Sequence, residues 1–241
     1  MNFVDLTENL RYECGVSGTP LTTVQNLNGE LLRLRNWIRD AWQELQLERQ
    51  DWKFMHKEFQ FVTQAGVQSY TLDTVQSANG DIDIDCYAQN TFSIDPPYDT
   101  GTQARSQEQP LGVMAWQHFR NMYVVGYPVN DPTRWQRPMT AAIDDDRTFW
   151  FGPAPDQAYT IRGECWINPQ TLVNDADIPI MPAKYHKVIV YRAMLKYAGY
   201  ESANEVRVRA VQEGTAPEFT LFNEQLPQVT VAGGFDSNHG F

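Results

Sequence analysis

This chain has no cluster of lysine and arginine, no long apolar run and no paired cysteine motif, and each absence removes a class of function. A duplex-binding surface needs a basic patch to neutralise phosphates, yet 19 Lys and Arg stand against 30 Asp and Glu, a formal net charge of −11. That balance argues against gripping nucleic acid. It is compatible with standing beside DNA, because an acidic wall repels phosphate and lets a duplex slide. No stretch approaches the roughly 18 apolar residues of a membrane span, so no membrane partner is expected. The three cysteines, Cys14, Cys86 and Cys165, are an odd number without CxxC spacing, which disfavours a disulfide framework and a zinc site. The first residues lack a basic segment followed by an apolar run, so no secretory signal is expected and synthesis in the cytoplasm is.

Catalytic signatures are missing too. The four histidines, His56, His118, His186 and His239, form no HExxH, and there is no GxSxG elbow or Cys/His arrangement. Gly233-Gly234 precedes neither a helix nor a lysine, so it is no phosphate loop. Asp81, Asp83 and Asp85 alternate like the start of a calcium loop, but Cys86 and Phe92 stand where that loop needs glycine and glutamate. A solvated strand or loop fits them better. Asp144-Asp145-Asp146 reads as a charged hairpin turn. Two carboxylates at glycosidase separation cannot be placed from sequence. No enzyme, no cofactor and no metal are expected.

What is present is a helix–sheet–helix layout. Leu31, Leu34, Ile38, Ala41, Trp42 and Leu45 recur at helical spacing within 28–49, a run that would span about 30 Å. A shorter helix is expected near the N-terminus, opened by a capping box at Asp5-Leu6-Thr7-Glu8 and stopped by Gly15. Glu58–Thr63 and Val67–Leu72 read as strands joined by a hairpin turn at Gln64-Ala65-Gly66. Residues 95–110 read as an exposed loop and Trp116–Met122 as a short helix. Pro138–Ala142, Thr148–Phe151 and Tyr159–Ile167 read as further strands. Helix returns at Pro182, and Tyr185, Val188, Ile189, Val190, Ala193, Met194, Leu195, Tyr197 and Ala198 leave it almost no polar face. Such a helix is normally covered on all sides. A last helix opens near Ser202-Ala203-Asn204-Glu205 and is expected to bend or break at Gly214 and Pro217.

The expected fold class is therefore α+β, a helical bundle formed by the N- and C-terminal segments with an inserted, mainly antiparallel β-domain. The boundaries read as 1–50 and 182–226 for the bundle, 51–181 for the insertion, and 227–241 for a C-terminal tail. Leu34, Ile38, Trp42, Val188 and Leu195 are expected in the bundle core. Of the seven tryptophans, Trp37 and Trp42 lie on a helix while Trp52, Trp150 and Trp166 sit in or beside strands, which favours packing over a stacking platform.

These signatures together resemble the head-to-tail adaptor (connector, or head-completion) proteins of tailed bacteriophages. Leu34-Arg35-Asn36-Trp37-Ile38-Arg39-Asp40-Ala41-Trp42 leads to Asp51-Trp52-Lys53-Phe54, like that family's helix ending in an aspartate–tryptophan pair. Arg137-Pro138 precedes a strand. Phe151-Gly152-Pro153-Ala154-Pro155-Asp156 introduces the strand that runs into Trp166-Ile167-Asn168-Pro169, and Asp175-Ala176-Asp177-Ile178-Pro179 leads into the apolar helix. The likeness runs in order over roughly residues 3–226. Two features depart from it: the interruption at Gly214–Pro217 of what is usually one long final helix, and an expanded loop at 95–110.

The resemblance implies a structural virion protein at the head–tail interface, assembled in the bacterial cytoplasm. It implies a homo-oligomeric ring of about twelve subunits below the portal protein, extending the DNA channel without binding DNA specifically and docking the next tail or nozzle component. The tail carries Leu226, Val229, Val231, Phe235 and Phe241 among small and polar residues, and suits a partner interface with the portal or an adjacent subunit. Another phage tail module (a tail terminator or a baseplate component) and a carbohydrate-binding or carbohydrate-active domain are the alternatives.

Overall fold

A computed structural model describes residues 1–49, 51–95 and 108–225. The chain divides into two compact units, Met1–Phe54 with Pro169–Phe241, and Met55–Asn168.

The first unit is helical. Helix α1 (Phe3–Glu13) opens on Asn2. The Asn2 side chain accepts the Asp5 amide at 2.8 Å and Asp5 returns the bond to the Asn2 amide at 3.0 Å. The capping box thus starts three residues before the expected one, because Asn2 can supply the acceptor and Asp5 the carboxylate. Helix α2 (Gly29–Leu47) buries Leu34, Ile38, Ala41, Trp42 and Leu45, the periodic set read from the sequence. Helices α5 (His186–Glu201) and α6 (Asn204–Gln225) complete the unit. Helix α5 packs against α1, α2 and α6, and this three-sided covering is why it could be apolar nearly all round. One residue departs: Leu195 was expected in the core and is 41% exposed. It lies between the contacts with α2 and α6, next to Lys196, whose Nζ reaches Glu44 of α2 at 2.6 Å.

Helix α6 does not break at Gly214–Pro217; it runs as one helix with Pro217 inside. Pro217 removes one amide from the ladder, but the helix is held to its neighbours on both sides of it. Arg209 bonds the Glu13 carbonyl before the proline. Beyond it Arg192 pairs with Glu218, Lys184 with Glu224, and Leu221 is buried. The final helix is thus a single long element, and that departure from the adaptor pattern disappears.

Residues 169–181 belong with the helices. The Phe3 amide donates to the Asp177 carbonyl at 2.8 Å and the Val24 amide to the Asp175 carboxylate at 2.7 Å. Gln46 of α2 exchanges two bonds with the Gln170 backbone, at 2.9 and 2.7 Å. The insertion is accordingly narrower than the 51–181 expected from the sequence.

The second unit is built on two four-stranded sheets. Strands β1 (His56–Val62), β8 (Thr160–Ile167), β3 (Ile84–Asp95) and β4 (Gln109–Pro110) form one, in that order. Strands β2 (Ser69–Tyr70), β7 (Phe149–Gly152), β6 (Thr140–Ile143) and β5 (Gly112–Val113) form the other. All described pairings are antiparallel except β5 with β6. The short helices α3 (Leu72–Ala78) and α4 (Trp116–Tyr123) lie in the connections.

The expected hairpin over 58–72 does not form: β1 pairs with β8 and β2 with β7, in different sheets. Gly66, at φ 76°, turns the chain between them, and a Cβ there would lie 2.5 Å from the Trp135 ring. The acidic turn does form a hairpin. The Asp144 carboxylate accepts the Asp146 and Thr148 amides and the Trp150 indole N–H, all at 2.9–3.0 Å. Aromatic rings fill the core, with Phe149 centred 4.9 Å from Tyr87 and 5.0 Å from Phe92. Gly163 on β8 makes room, since a Cβ there would meet the Phe92 ring at 2.5 Å.

Candidate partner interface

Within the helical unit, α5 ends at Ser202 in the left-handed region, φ 54°, and the chain reverses so that α6 returns along α5. The contact is close because Gly214 faces Tyr191; a Cβ at 214 would stand 2.9 Å from the Tyr191 Cβ. Among the described residues α6 fully buries only Ala210, Gly214 and Leu221. Its opposite face holds Val208 at 54%, Val211 at 50% and Phe219 at 69% exposure. With Gln212, Thr215 and Asn223 these make an uncharged stripe down the outer side of the helix. Apolar residues on two opposite faces give the helix a second surface suited to packing.

The stripe starts at the end of the unit where aromatic side chains gather. Trp37 of α2 meets Tyr197 edge-on at 5.9 Å and Tyr200 at 5.7 Å, and the Arg33 guanidinium lies 4.6 Å from the Tyr200 ring centre. Tyr200 is 55% exposed, and Tyr12 at the end of α1 is 78% exposed. Arg209, 3.7 Å from the Glu13 carboxylate, ties the start of α6 to the end of α1. Burial, with carboxylates such as Glu30 and Glu201 nearby, raises the Tyr197 phenol above its ordinary value, so it stays protonated. Trp, Tyr and Arg are the residue types that dominate protein–protein binding energy. A surface of this composition suits an apolar partner.

The thiols are held above their ordinary values. Burial pushes Cys14 up to about 12 and Cys165 up to about 11. Partial burial and Asp85 also raise the exposed Cys86. A thiol held above its ordinary value is a poor nucleophile. His186 is buried, with Nδ1 3.0 Å from the Met1 amine and Nε2 3.1 Å from the Met181 carbonyl. His56 is 3.1 Å from Glu164, and His118 is exposed. Asp83 accepts the Asn168 amide and Asp85 lies 3.9 Å from Arg147. Among the described residues no group of three His, Cys, Asp or Glu could hold a metal, and no helix is long and apolar enough to cross a membrane.

Leu226, Val229, Val231, Phe235 and Phe241, the interface residues expected from the sequence, lie outside the described residues, as do His239 and most of the 95–110 loop. Trp37, expected as packing, does pack, but at an open end. The α6 stripe escaped the sequence reading because a break expected at 214–217 divides Val208 and Val211 from Phe219.

The model of the SU10 adaptor protein family matches residues 1–238. The chain belongs to that family. It is a family of phage head-to-tail adaptors, so the resemblance drawn from the tryptophan-marked helix and the strand signatures holds over the whole chain. Membership suggests a structural phage protein of the virion rather than an enzyme. Among curated proteins no match is found.

Proposed function

We propose that this chain is the repeating subunit of a head-to-tail adaptor ring that sits below the phage portal, extends the DNA channel and docks the next tail component. The observation that carries the reading is the unshared apolar surface of the helical unit, the α6 stripe with the aromatic end at Trp37 and Tyr200. Ring closure needs a heterologous contact repeated around an axis, and a surface of this composition supplies one side of it. Charge supports the channel role. At −11 each, about twelve copies would repel a duplex from the lumen instead of holding it. The inserted domain carries two carboxylates for every Lys and Arg, which suits a non-adhesive wall. The tail, with Leu226, Val229, Val231, Phe235 and Phe241, serves as the arm that engages the portal or an adjacent subunit. Assembly takes place in the host cytoplasm and the protein ends in the virion.

Electron microscopy of the recombinant protein, alone and mixed with portal, tests this. The expected result is a ring coaxial with the portal. A protein that stays monomeric and does not bind portal would overturn the reading. Rings that bind only other tail proteins would favour a tail terminator or baseplate component.

A further inference from the structure

We propose that in the free chain the outer face of α6 pairs with the same face of a second copy, the two helices running antiparallel about a two-fold axis. The occupant follows from the order of side chains along the helix. A two-fold contact is made by one patch on itself, so residue i must suit residue j and j must suit i. The outer side of α6 has that symmetry. Asn204 and Asn223, Arg207 and Glu218, Val208 and Phe219, and Val211 and Thr215 each stand equally far either side of position 213, to within one residue. Reversed and laid against itself, the helix sets asparagine by asparagine at the rims and Phe219 on Val208 of the second copy. Val211 then meets Thr215 of the second copy near the axis.

Charge fixes the direction. Arg207 and Glu218, about three turns apart, lie on the same flank of the stripe. Antiparallel helices bring matching flanks together, so Arg207 meets Glu218 of the second copy and Glu218 meets Arg207 of that copy. In a parallel pair unlike flanks meet, and Glu218 would face neutral side chains instead. Within its own subunit Glu218 pairs with Arg192 and keeps its side chain one-third exposed. A carboxylate accepts several hydrogen bonds, so it can take a second cation. On the other flank Glu205 and Arg209 border the depression beside Val208, with Glu213 behind them. There they come level with the neutral Ala216, Thr220 and Asn223 of the second copy, so no like charges meet.

Size fixes the strength. The contact is about 28 Å long and one helix, about 10 Å, wide. That is small beside the roughly 800 Å² that each side of a standard interface buries. The pair therefore exchanges with monomer and is lost on dilution. A two-fold contact also closes on itself, so it covers the stripe without starting a ring. The inference concerns the free chain and needs neither portal nor ring, so its failure would leave the adaptor reading standing.

Sedimentation velocity of the full chain across the micromolar range tests the pair. Monomer and dimer in exchange are expected. Arg207→Glu should move the midpoint several-fold to higher concentration with helical circular dichroism unchanged, because Arg207 is exposed and its side chain has no ion pair among the described residues. Disulfide trapping tests the orientation. Val208→Cys and Phe219→Cys are made as separate proteins, each with the exposed Cys86 replaced by Ser, and are oxidised singly and mixed. The mixture should give a covalent heterodimer. Neither protein alone should link, since like positions stand about 16 Å apart in the antiparallel pair and a disulfide needs Cα atoms within about 7 Å. A chain that stays monomeric, or that associates only into larger rings, would overturn the proposal. So would an unchanged midpoint in Arg207→Glu, or either cysteine variant linking to itself as readily as to the other. A monomer that still forms rings on portal would overturn this proposal alone.

Discussion

The side-chain amide of Asn79 pairs with both backbone groups of Gln60, accepting its N–H at 2.9 Å and donating to its carbonyl at 3.0 Å. Gln60 lies on β1, an edge of its sheet, so one asparagine takes the position of a strand residue there. An unpaired edge is a template for another chain, and this amide blocks it at mid-strand. Asn79 also donates to the Val75 carbonyl at 2.7 Å, anchoring itself to α3.

Replacing Asn79 with Ala should therefore do two things. Stability should fall by about 1 kcal/mol, the usual net worth of exposed hydrogen bonds of this kind, read as a lower urea midpoint at unchanged slope. The variant should also aggregate faster on mild heating than a control such as Asp73→Ala on the same short helix. Equal aggregation of the two would show that the edge needs no plug.

Two tryptophans in the same unit should respond differently to loss of their indole nitrogens. Trp42 and Trp52 are both fully buried, but the Trp52 N–H donates to the Leu45 carbonyl at 3.1 Å while the Trp42 N–H has no partner. Leu45 is in the last turn of α2, where carbonyls lack helical donors, so Trp52 acts as a cap from outside the helix. Trp52→Phe should cost about 1–3 kcal/mol beyond the lost volume, and Trp42→Phe should lose volume only. Trp42→Ala should cost about 3–5 kcal/mol. Denaturant melts of the three variants rank them, and a Trp42→Phe loss as large as that of Trp52→Phe would refute the assignment.

Acid should weaken the helical unit through His186. Burial holds its imidazole below the ordinary value of 6.5, helped by the Met1 ammonium and opposed by the Met181 carbonyl. A histidine whose folded value is depressed takes up its proton first in the unfolded chain. Its contribution to stability is fully present above about 6.5 and is lost as pH falls below that toward the folded value. Carboxylates held below their ordinary values, such as Glu8 beside Arg11, lose their contribution only at lower pH. Between pH 7.5 and 5.5 the melting temperature of the native chain should fall more than that of His186→Gln. Parallel curves would show that His186 does not titrate in this window.

The helical period of Leu34, Ile38 and Trp42, the all-round apolarity of α5 and the acidic turn at Asp144 were legible because each is a local pattern with one physical solution. Leu195 was not, since its exposure depends on the gap between two neighbouring helices and not on its own spacing. The pairing of β1 was hidden for a related reason. Gln64-Ala65-Gly66 marks a turn, but the next strand pairs with β7, about 80 residues on, and Gly66 packs against Trp135, some 70 residues away. The aromatic end escaped notice because Trp37 and Tyr200 meet only when α2 and α5 are packed together.

Glycine supplies the last test, because two glycines in this helical pair should answer alanine with opposite signs. Gly199 in α5 is exposed, and a Cβ there would meet nothing within 4 Å. Alanine should stabilise the chain by up to about 1 kcal/mol, the helix-propensity difference between the two residues. Gly214 in α6 is buried against Tyr191, with Cβ-to-Cβ at 2.9 Å and Cβ-to-Cγ at 3.3 Å. The atoms in the way are the rigid root of a side chain, so alanine must push α6 away from α5. Overpacking of that kind costs about 1–3 kcal/mol, which outweighs the propensity gain. Gly214→Ala should therefore melt below the native chain and Gly199→Ala above it. Stabilisation by both would mean that the two helices do not approach as closely in solution as Tyr191 and Gly214 require.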